Sequence, residues 1–180
     1  AWLANKPSIA DLTISDGLVA SSNKNVALDF GGYLKGVALD RAAGILRAQG
    51  INNALINIGG NVMALGSKQG RKWRVGIQHP RQPGPMATVA LEDGEAIGTS
   101  GDYQRYFELD GKRYCHLIDP RTGQPAQGVQ AVTVLTRGAR AGVLSDASSK
   151  PLFIAGLSGD GNGWPTSARV MMLDDALLID

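Results

Sequence analysis

His116 and Asp119 lie close together in the run His116-Leu117-Ile118-Asp119-Pro120-Arg121-Thr122-Gly123. An imidazole titrates near neutrality and is the commonest general base. Pro120 and Gly123 build a turn, so His116 and Asp119 can face one site, with Thr122 supplying a hydroxyl. The plainer alternative is a structural histidine bonded to Asp119. A second run, Asp29-Phe30-Gly31-Gly32-Tyr33-Leu34-Lys35-Gly36-Val37-Ala38-Leu39-Asp40, reads as a strand, a Gly-Gly turn and a helix. A helix N-terminus with open N–H groups and Lys35 in its first turn can take an anion; the alternative is a tight turn with a solvated lysine. It is not a Walker A loop, whose Gly-Lys-Ser/Thr order is absent. Asn57-Ile58-Gly59-Gly60-Asn61 is a third Gly-rich segment. Thr99-Ser100-Gly101-Asp102-Tyr103 offers hydroxyls and a carboxylate at a strand end, or forms an ordinary Asx or ST turn. Asp146 opens Asp146-Ala147-Ser148-Ser149 and is either a helix N-cap or a ligand for a hard cation such as Mg²⁺.

These residues need elements to hold them. Apolar Leu34, Val37, Ala38, Ala42, Ile45 and Leu46 recur at helical spacing and predict a helix from Tyr33 to Gln49, closed by Gly50. Residues 142–156 predict a second helix, which Pro151 should interrupt or kink. Residues 12–19 and 26–30 read as short strands, with Asp16-Gly17 and Ser21-Ser22-Asn23 as turns. Further strands are expected at 54–58, 73–78, 88–91, 95–99, 103–109, 112–118, 131–136, 170–173 and 177–179. Asp110-Gly111 is the strongest hairpin signal among them. Two helices, many strands and hairpins predict an α+β fold with a largely antiparallel sheet.

Composition narrows the function classes. The 180 residues carry a net charge of +2, and no Lys/Arg run marks a nucleic-acid footprint. With 43% hydrophobic residues the chain is not disordered. One cysteine excludes a disulfide framework and a Cys-rich metal site, and Cys115 reads as a small buried hydrophobe. No apolar run approaches the ~20 residues that span a bilayer. The 24 glycines, interleaved with apolar segments, suit close approach of backbone to a phosphate or cofactor. Ala1-Trp2-Leu3-Ala4 shows neither an initiator Met nor a signal peptide, and the last residues read as a strand that stops in mid-stride. Both ends read as truncated.

Each segment is ambiguous alone, but their order along the chain resembles the ApbE family of FAD:protein FMN transferases. The family's Asp-φ-Gly-Gly-x-x-Lys-Gly-x-x-x-Asp is matched by Asp29 to Asp40, Asn-φ-Gly-Gly-Asp by Asn57 to Asn61, and Trp-x-φ-Gly-Ile-x-x-Pro by Trp73 to Pro80, with Asn61 and His79 each standing where the family has Asp. Thr-Ser-Gly-Asp-Tyr is matched by Thr99 to Tyr103, and Tyr-Ser-His-φ-φ-Asp-Pro-x-Thr-Gly by Tyr114 to Gly123, with Cys115 in place of the Ser. The resemblance runs from about residue 10 to about 156. It implies a single flavin-transferase domain over 1–180 that lacks the family's N-terminal portion.

The resemblance implies an enzyme that takes FAD as substrate and attaches FMN through a phosphoester to a Thr or Ser hydroxyl of an acceptor protein, releasing AMP with Mg²⁺. It puts Gly31, Gly32 and Lys35 by the diphosphate or adenine side, Asp40 by the adenosine half, and Gly59 and Gly60 among the cofactor-binding residues. Thr99, Ser100, Gly101 and Asp102 would line the flavin, His116 would be the base or positioning group oriented by Asp119, and Thr122 and Gly123 would complete that loop. Asp146 and the Leu34 carbonyl would ligate the metal. The acceptor would be a membrane-associated redox subunit, and the location periplasmic or membrane-anchored. One departure touches the metal. The family's Asp-Ala-φ-Ala/Ser-Thr-Ala here reads Asp146-Ala147-Ser148-Ser149-Lys150-Pro151, with a lysine where a metal-ligating threonine belongs. A protonated ammonium has no lone pair to give. Ser148 or Ser149 takes over, or Lys150 itself replaces the metal, or the protein binds FAD without transferring it. An FAD pyrophosphatase, with water as acceptor, would use the same residues.

Overall fold

The computed structural model describes residues 2–156, 166–174 and 176–179; Asp180, the end of the expected last strand, lies outside them. After two short 3-10 turns, Trp2–Asn5 and Ile9–Asp11, comes a small hairpin, β1 (Leu12–Ser15) and β2 (Leu18–Ser21). Asp16 and Gly17 turn it, both at positive φ, the conformation that matches strand twist in a two-residue loop. The single strand expected over 12–19 is therefore two. Residues 26–30 form no strand. The Phe30 carbonyl accepts from the Tyr33 and Leu34 N–H groups, and the Asp29 carboxylate accepts from the Gly31 N–H at 2.7 Å. Those bonds curl the segment into the turn that starts α1 (Leu34–Ala48).

Next come β3 (Ala54–Ile58) and β4 (Asn61–Leu65). The strand expected over 54–58 does not end the segment: Gly59 and Gly60 have positive φ, 55° and 89°, and make the tight reversal of a hairpin into β4. A Gly-Gly pair followed by an apolar run was the available signal. β5 (Trp73–Gln78) and β6 (Pro85–Leu91) form a second hairpin, followed by β7 (Ala96–Gly101). Asp110-Gly111 turns β8 (Tyr106–Leu109) into β9 (Lys112–Cys115). Ile118–Asp119 (β10) pairs with Gln124–Pro125 (β11). β12 (Val129–Thr136), α2 (Ala141–Ala155), β13 (Ala168–Leu173) and β14 (Leu177–Ile179) complete the order.

Six strands make the main sheet, ordered β14-β13-β12-β7-β4-β3 and antiparallel throughout. The expected α+β class with two main helices holds. Period-2 alternation sorts the side chains to two faces. Met63, Leu65 and Ala96 meet Leu39 and Ala43 of α1, while Val132, Val134 and Met171 meet Leu152 and Phe153 of α2. On the opposite face, Val62, Ala64, Ile97 and Leu135 are covered by Trp73, Val75, Val89 and Leu91 of the β5–β6 hairpin. Every residue of β4 is buried, since the sheet is covered on both sides there. Pro151 does not break α2. It lacks one N–H for the helix ladder, but Leu152 and Phe153 beside it are locked in the core.

The two helices hold each other by their N-termini. Neither Tyr33 nor Arg140, the residues at their N-caps, makes a side-chain capping bond. Instead the Asp146 carboxylate on α2 accepts from the Gly36 N–H of α1 at 2.9 Å. Asp40 on α1 accepts from Gly142 and Val143 of α2 at 2.8 and 2.9 Å. A carboxylate at each open N-terminus satisfies orphan donors and complements the helix dipole. The approach this requires leaves no room for side chains: a Cβ on Gly36 would sit 2.7 Å from the Val143 Cα, and one on Gly142 would sit 2.6 Å from the Gly36 carbonyl oxygen. Gly36→Val is expected to lower stability by at least about 2 kcal/mol through overpacking. Gly44→Ala on the same helix, with nothing within 4 Å, is expected to raise it by about 0.5–1 kcal/mol. Urea unfolding of both variants checks the pair; equal signs would contradict the crossing.

Candidate functional site

A cavity of about 800 Å³ opens where β7, the two Gly-Gly turns and the β5–β6 hairpin meet. β7 carries Thr99, Ser100 and Gly101 into its lining. The strand is fixed from both faces: Thr99 Oγ1 lies 2.8 Å from Thr133 Oγ1, and Ser100 Oγ lies 2.8 Å from Ser149 Oγ of α2. Gly98, further back, lets α2 approach, since a Cβ there would meet the Ser145 carbonyl oxygen at 2.5 Å. The Gly31-Gly32 turn and Lys35 line another side, with Gly59 and Gly60 next to them. Asn57 Oδ1 accepts from the Gly60 N–H at 3.0 Å and stiffens that turn. Val75, Gly76, Ile77 and Gln78 of β5 supply a partly apolar wall. Tyr103, Gln104, Arg105, His116 and Leu117 also line the cavity.

His116 is held by Arg105, not by Asp119. Its Nδ1 lies 3.2 Å from the Arg105 carbonyl oxygen, and its backbone N–H donates to the same oxygen. A carbonyl only accepts, so Nδ1 carries the proton and Nε2 keeps its lone pair. Burial pushes the His116 pKa below the ordinary histidine range, helped by the positive charges of Arg105, Lys150 and Lys35. The ring is therefore neutral at pH 7 and has a basic nitrogen to offer. Arg105, which supplies this hold, has no motif to mark it; only the tertiary contact shows it.

Other expected site residues sit elsewhere. Asp119 accepts from the Arg121 guanidinium at 2.7–3.1 Å and from the Arg121 backbone N–H at 2.8 Å, which holds its carboxyl below the usual range. It pins the β10–β11 turn, where Thr122 Oγ1 accepts from the Gln124 N–H and Gly123 takes positive φ. None of Asp119, Thr122 and Gly123 lines the cavity. Asp102 turns away from the cavity to a bidentate pair with Arg81, at 2.7 and 2.5 Å. Asp40 is the cap of α2 described above. Cys115 is buried, its thiol pushed up by burial.

The metal reading fails on its donors. Asp146 is fully buried. Its Oδ2 takes the Gly36 N–H, and its Oδ1 takes the Lys150 ammonium at 2.6 Å, with Lys35 Nζ at 3.9 Å. Ser149 donates to the Asp146 carbonyl at 2.9 Å and Lys150 to the same oxygen at 2.7 Å. Among the described residues no three His, Cys, Asp or Glu side chains gather to hold an ion. Leu34 starts α1 and adds at most a backbone oxygen. Two ammonium groups at the one carboxylate oppose a divalent cation, so Asp146 and Leu34 do not fit Mg²⁺ here.

The fold places glycine turns and Lys35 on one side of a large cavity, with a neutral imidazole in its lining. The sequence profile of the ApbE family matches residues 2–164, and the chain belongs to that family. It is 46% identical over 169 residues to an FAD:protein FMN transferase of Rhodobacter capsulatus, covering 94% of this chain and 31% of that protein. A second FAD:protein FMN transferase, of Vibrio cholerae, is 39% identical over 132 residues, 72% of this chain and 40% of that protein. Among solved structures, the ApbE protein of Thermotoga maritima superposes with a TM-score of 0.80 at 32% identity, covering 99% of this chain and 59% of that one. The flavin transferase ApbE of Vibrio cholerae gives 0.72 at 29% identity, covering 99% and 57%. The chain thus spans 31% and 40% of these two curated relatives and less than three-fifths of the solved chains.

Proposed function

We propose that this chain forms the FAD-handling part of a flavin transferase, which moves FMN from FAD to a Ser or Thr hydroxyl of an acceptor protein. The observation that carries the reading is the convergence of both Gly-Gly turns, Lys35 and a neutral His116 on one cavity. In the reaction the acceptor oxygen attacks the FMN phosphorus. A phosphoester bond forms, the anhydride P–O bond breaks, and AMP leaves with the bridging oxygen. The hydroxyl proton passes to His116 Nε2, which its Nδ1–H bond to Arg105 orients. Developing negative charge on the phosphate oxygens meets Lys35, while Asp29 and Asn57 engage the Gly31 and Gly60 N–H groups and hold the two turns in shape. Catalysis of this kind is mostly positioning and electrostatics, which preformed turns supply without reorganisation. The β5 wall gives an apolar surface against which a flat ring system can rest.

The relatives named as FAD:protein FMN transferases support this reading. We extend it to the partner: a membrane-associated redox subunit, modified outside the cytoplasm. No helix among the described residues is long and apolar enough to cross a membrane. Incubating the intact protein with FAD and a Thr-bearing acceptor is expected to add one FMN to the acceptor with one AMP released, read by mass spectrometry. Free FMN and AMP without an adduct would make it a pyrophosphatase. Bound FAD with neither product would make it a non-catalytic binder.

A further inference from the structure

We propose that the Lys150 ammonium, seated on the buried Asp146 carboxylate beside Lys35, is the cation that grips the diphosphate in this protein and makes a divalent metal unnecessary. The inference rests on the FAD reading and assigns the charge that reading needs. Lys150 lines the same cavity as Lys35 and both Gly-Gly turns. Its Nζ donates to Asp146 Oδ1 at 2.6 Å and to the Asp146 carbonyl at 2.7 Å. An ammonium has three donors, so one remains for a ligand. Lys35 Nζ stands 3.9 Å from the same Oδ1.

The local charge is therefore two ammoniums against one carboxylate, an excess of one positive charge. That carboxylate is 0% exposed, with its second oxygen bonded to the Gly36 N–H. It anchors the ammonium and offers nothing to a ligand. Each lysine also lies beside a glycine turn. A Cβ on Gly32 would come within 2.8 Å of Lys150 Cε, and one on Gly59 within 3.3 Å of Lys35 Cδ. Turn and lysine stem thus share a corner on both sides, and any longer residue at Gly32 would displace the Lys150 stem. A cation fixed in this way does what a metal does for a phosphate, neutralising charge at a set position. It differs in being covalently attached and indifferent to chelators.

Binding measured on the intact protein tests this, by calorimetry with FAD, ADP and riboflavin in EDTA and again with added Mg²⁺. FAD and ADP are expected to bind within twofold of the same Kd in both buffers. Lys150→Gln is expected to weaken FAD and ADP tenfold or more, leave riboflavin within twofold, and gain nothing from Mg²⁺. The paired change Asp146→Asn with Lys150→Gln leaves no buried carboxylate unpaired and is expected to show the same selective loss if the single variant folds poorly. FAD binding that falls tenfold in EDTA and returns with Mg²⁺ overturns the proposal. So does Lys150→Gln with unchanged FAD affinity, or with riboflavin weakened as much as FAD. Wild-type protein that binds none of the three ligands in either buffer sinks the flavin reading itself, an outcome distinct from the others.

Discussion

Replacing His116 with glutamine is expected to slow flavin transfer by about 10²–10⁴-fold, the usual share of a positioned general base, while FAD affinity changes by less than threefold. Glutamine keeps a polar side chain of similar reach but cannot take a proton near neutrality. Single-turnover transfer and FAD titration on the same preparation separate the two effects. The pH profile adds a second readout. Burial and the nearby Arg105, Lys150 and Lys35 charges favour the neutral ring, so the folded-state pKa lies below the ordinary histidine value of about 6.5. Transfer should be flat above that value and fall only as pH drops below it, and the acid limb should vanish in the variant. Linkage has the same sign. The unfolded chain binds the proton more readily, so His116 costs the fold stability as pH falls through and below about 6.5. A variant with wild-type turnover and an unchanged profile would remove His116 from the chemistry.

Asp146→Ala is expected to destabilise the protein by about 3 kcal/mol. Breaking a buried ion pair by deleting one partner costs about 3–5 kcal/mol, because the other charge is left uncompensated. The lower end applies because the Lys150 side chain keeps 22% of its exposure. The substitution also orphans the Gly36 N–H at the start of α1, where no local side chain caps the helix. For a domain of this size the melting temperature should fall by roughly 6–12 °C, read by circular dichroism. Asp119→Ala is the contrast, since its partner Arg121 is 65% exposed and exposed pairs contribute little. A fall of at most about 4 °C is expected there, from the lost turn bond to the Arg121 N–H. Similar melting temperatures for the two variants would show that Asp146 does not tie the helices together.

Much of the candidate site was legible from residue order. Gly32, Lys35, Gly59, Gly60, Thr99, Ser100, Gly101 and His116 all line the cavity, and each belonged to a short run whose residue types suit a phosphate or a proton transfer. The acidic residues were not legible. Asp40, Asp102, Asp119 and Asp146 read as ligands or orienting groups, and the fold uses them as a helix cap, two arginine partners and the anchor of Lys150. A carboxylate in a motif looks the same whether it faces a ligand or an N–H group far away in sequence.

Local signals set the elements and the family. Apolar spacing placed α1, Asp110-Gly111 placed the β8–β9 hairpin, and the order of the Gly-rich runs placed the chain among its relatives. The β4 strand escaped because its five buried residues lack alternation when both sheet faces are covered. What only tertiary structure decided is where each charge finds its partner. Asp146 meets Gly36 across 110 positions of chain and Asp40 meets Gly142 across 102. Electrostatic and hydrogen-bond energies depend on distance in space, which spacing along the chain does not report.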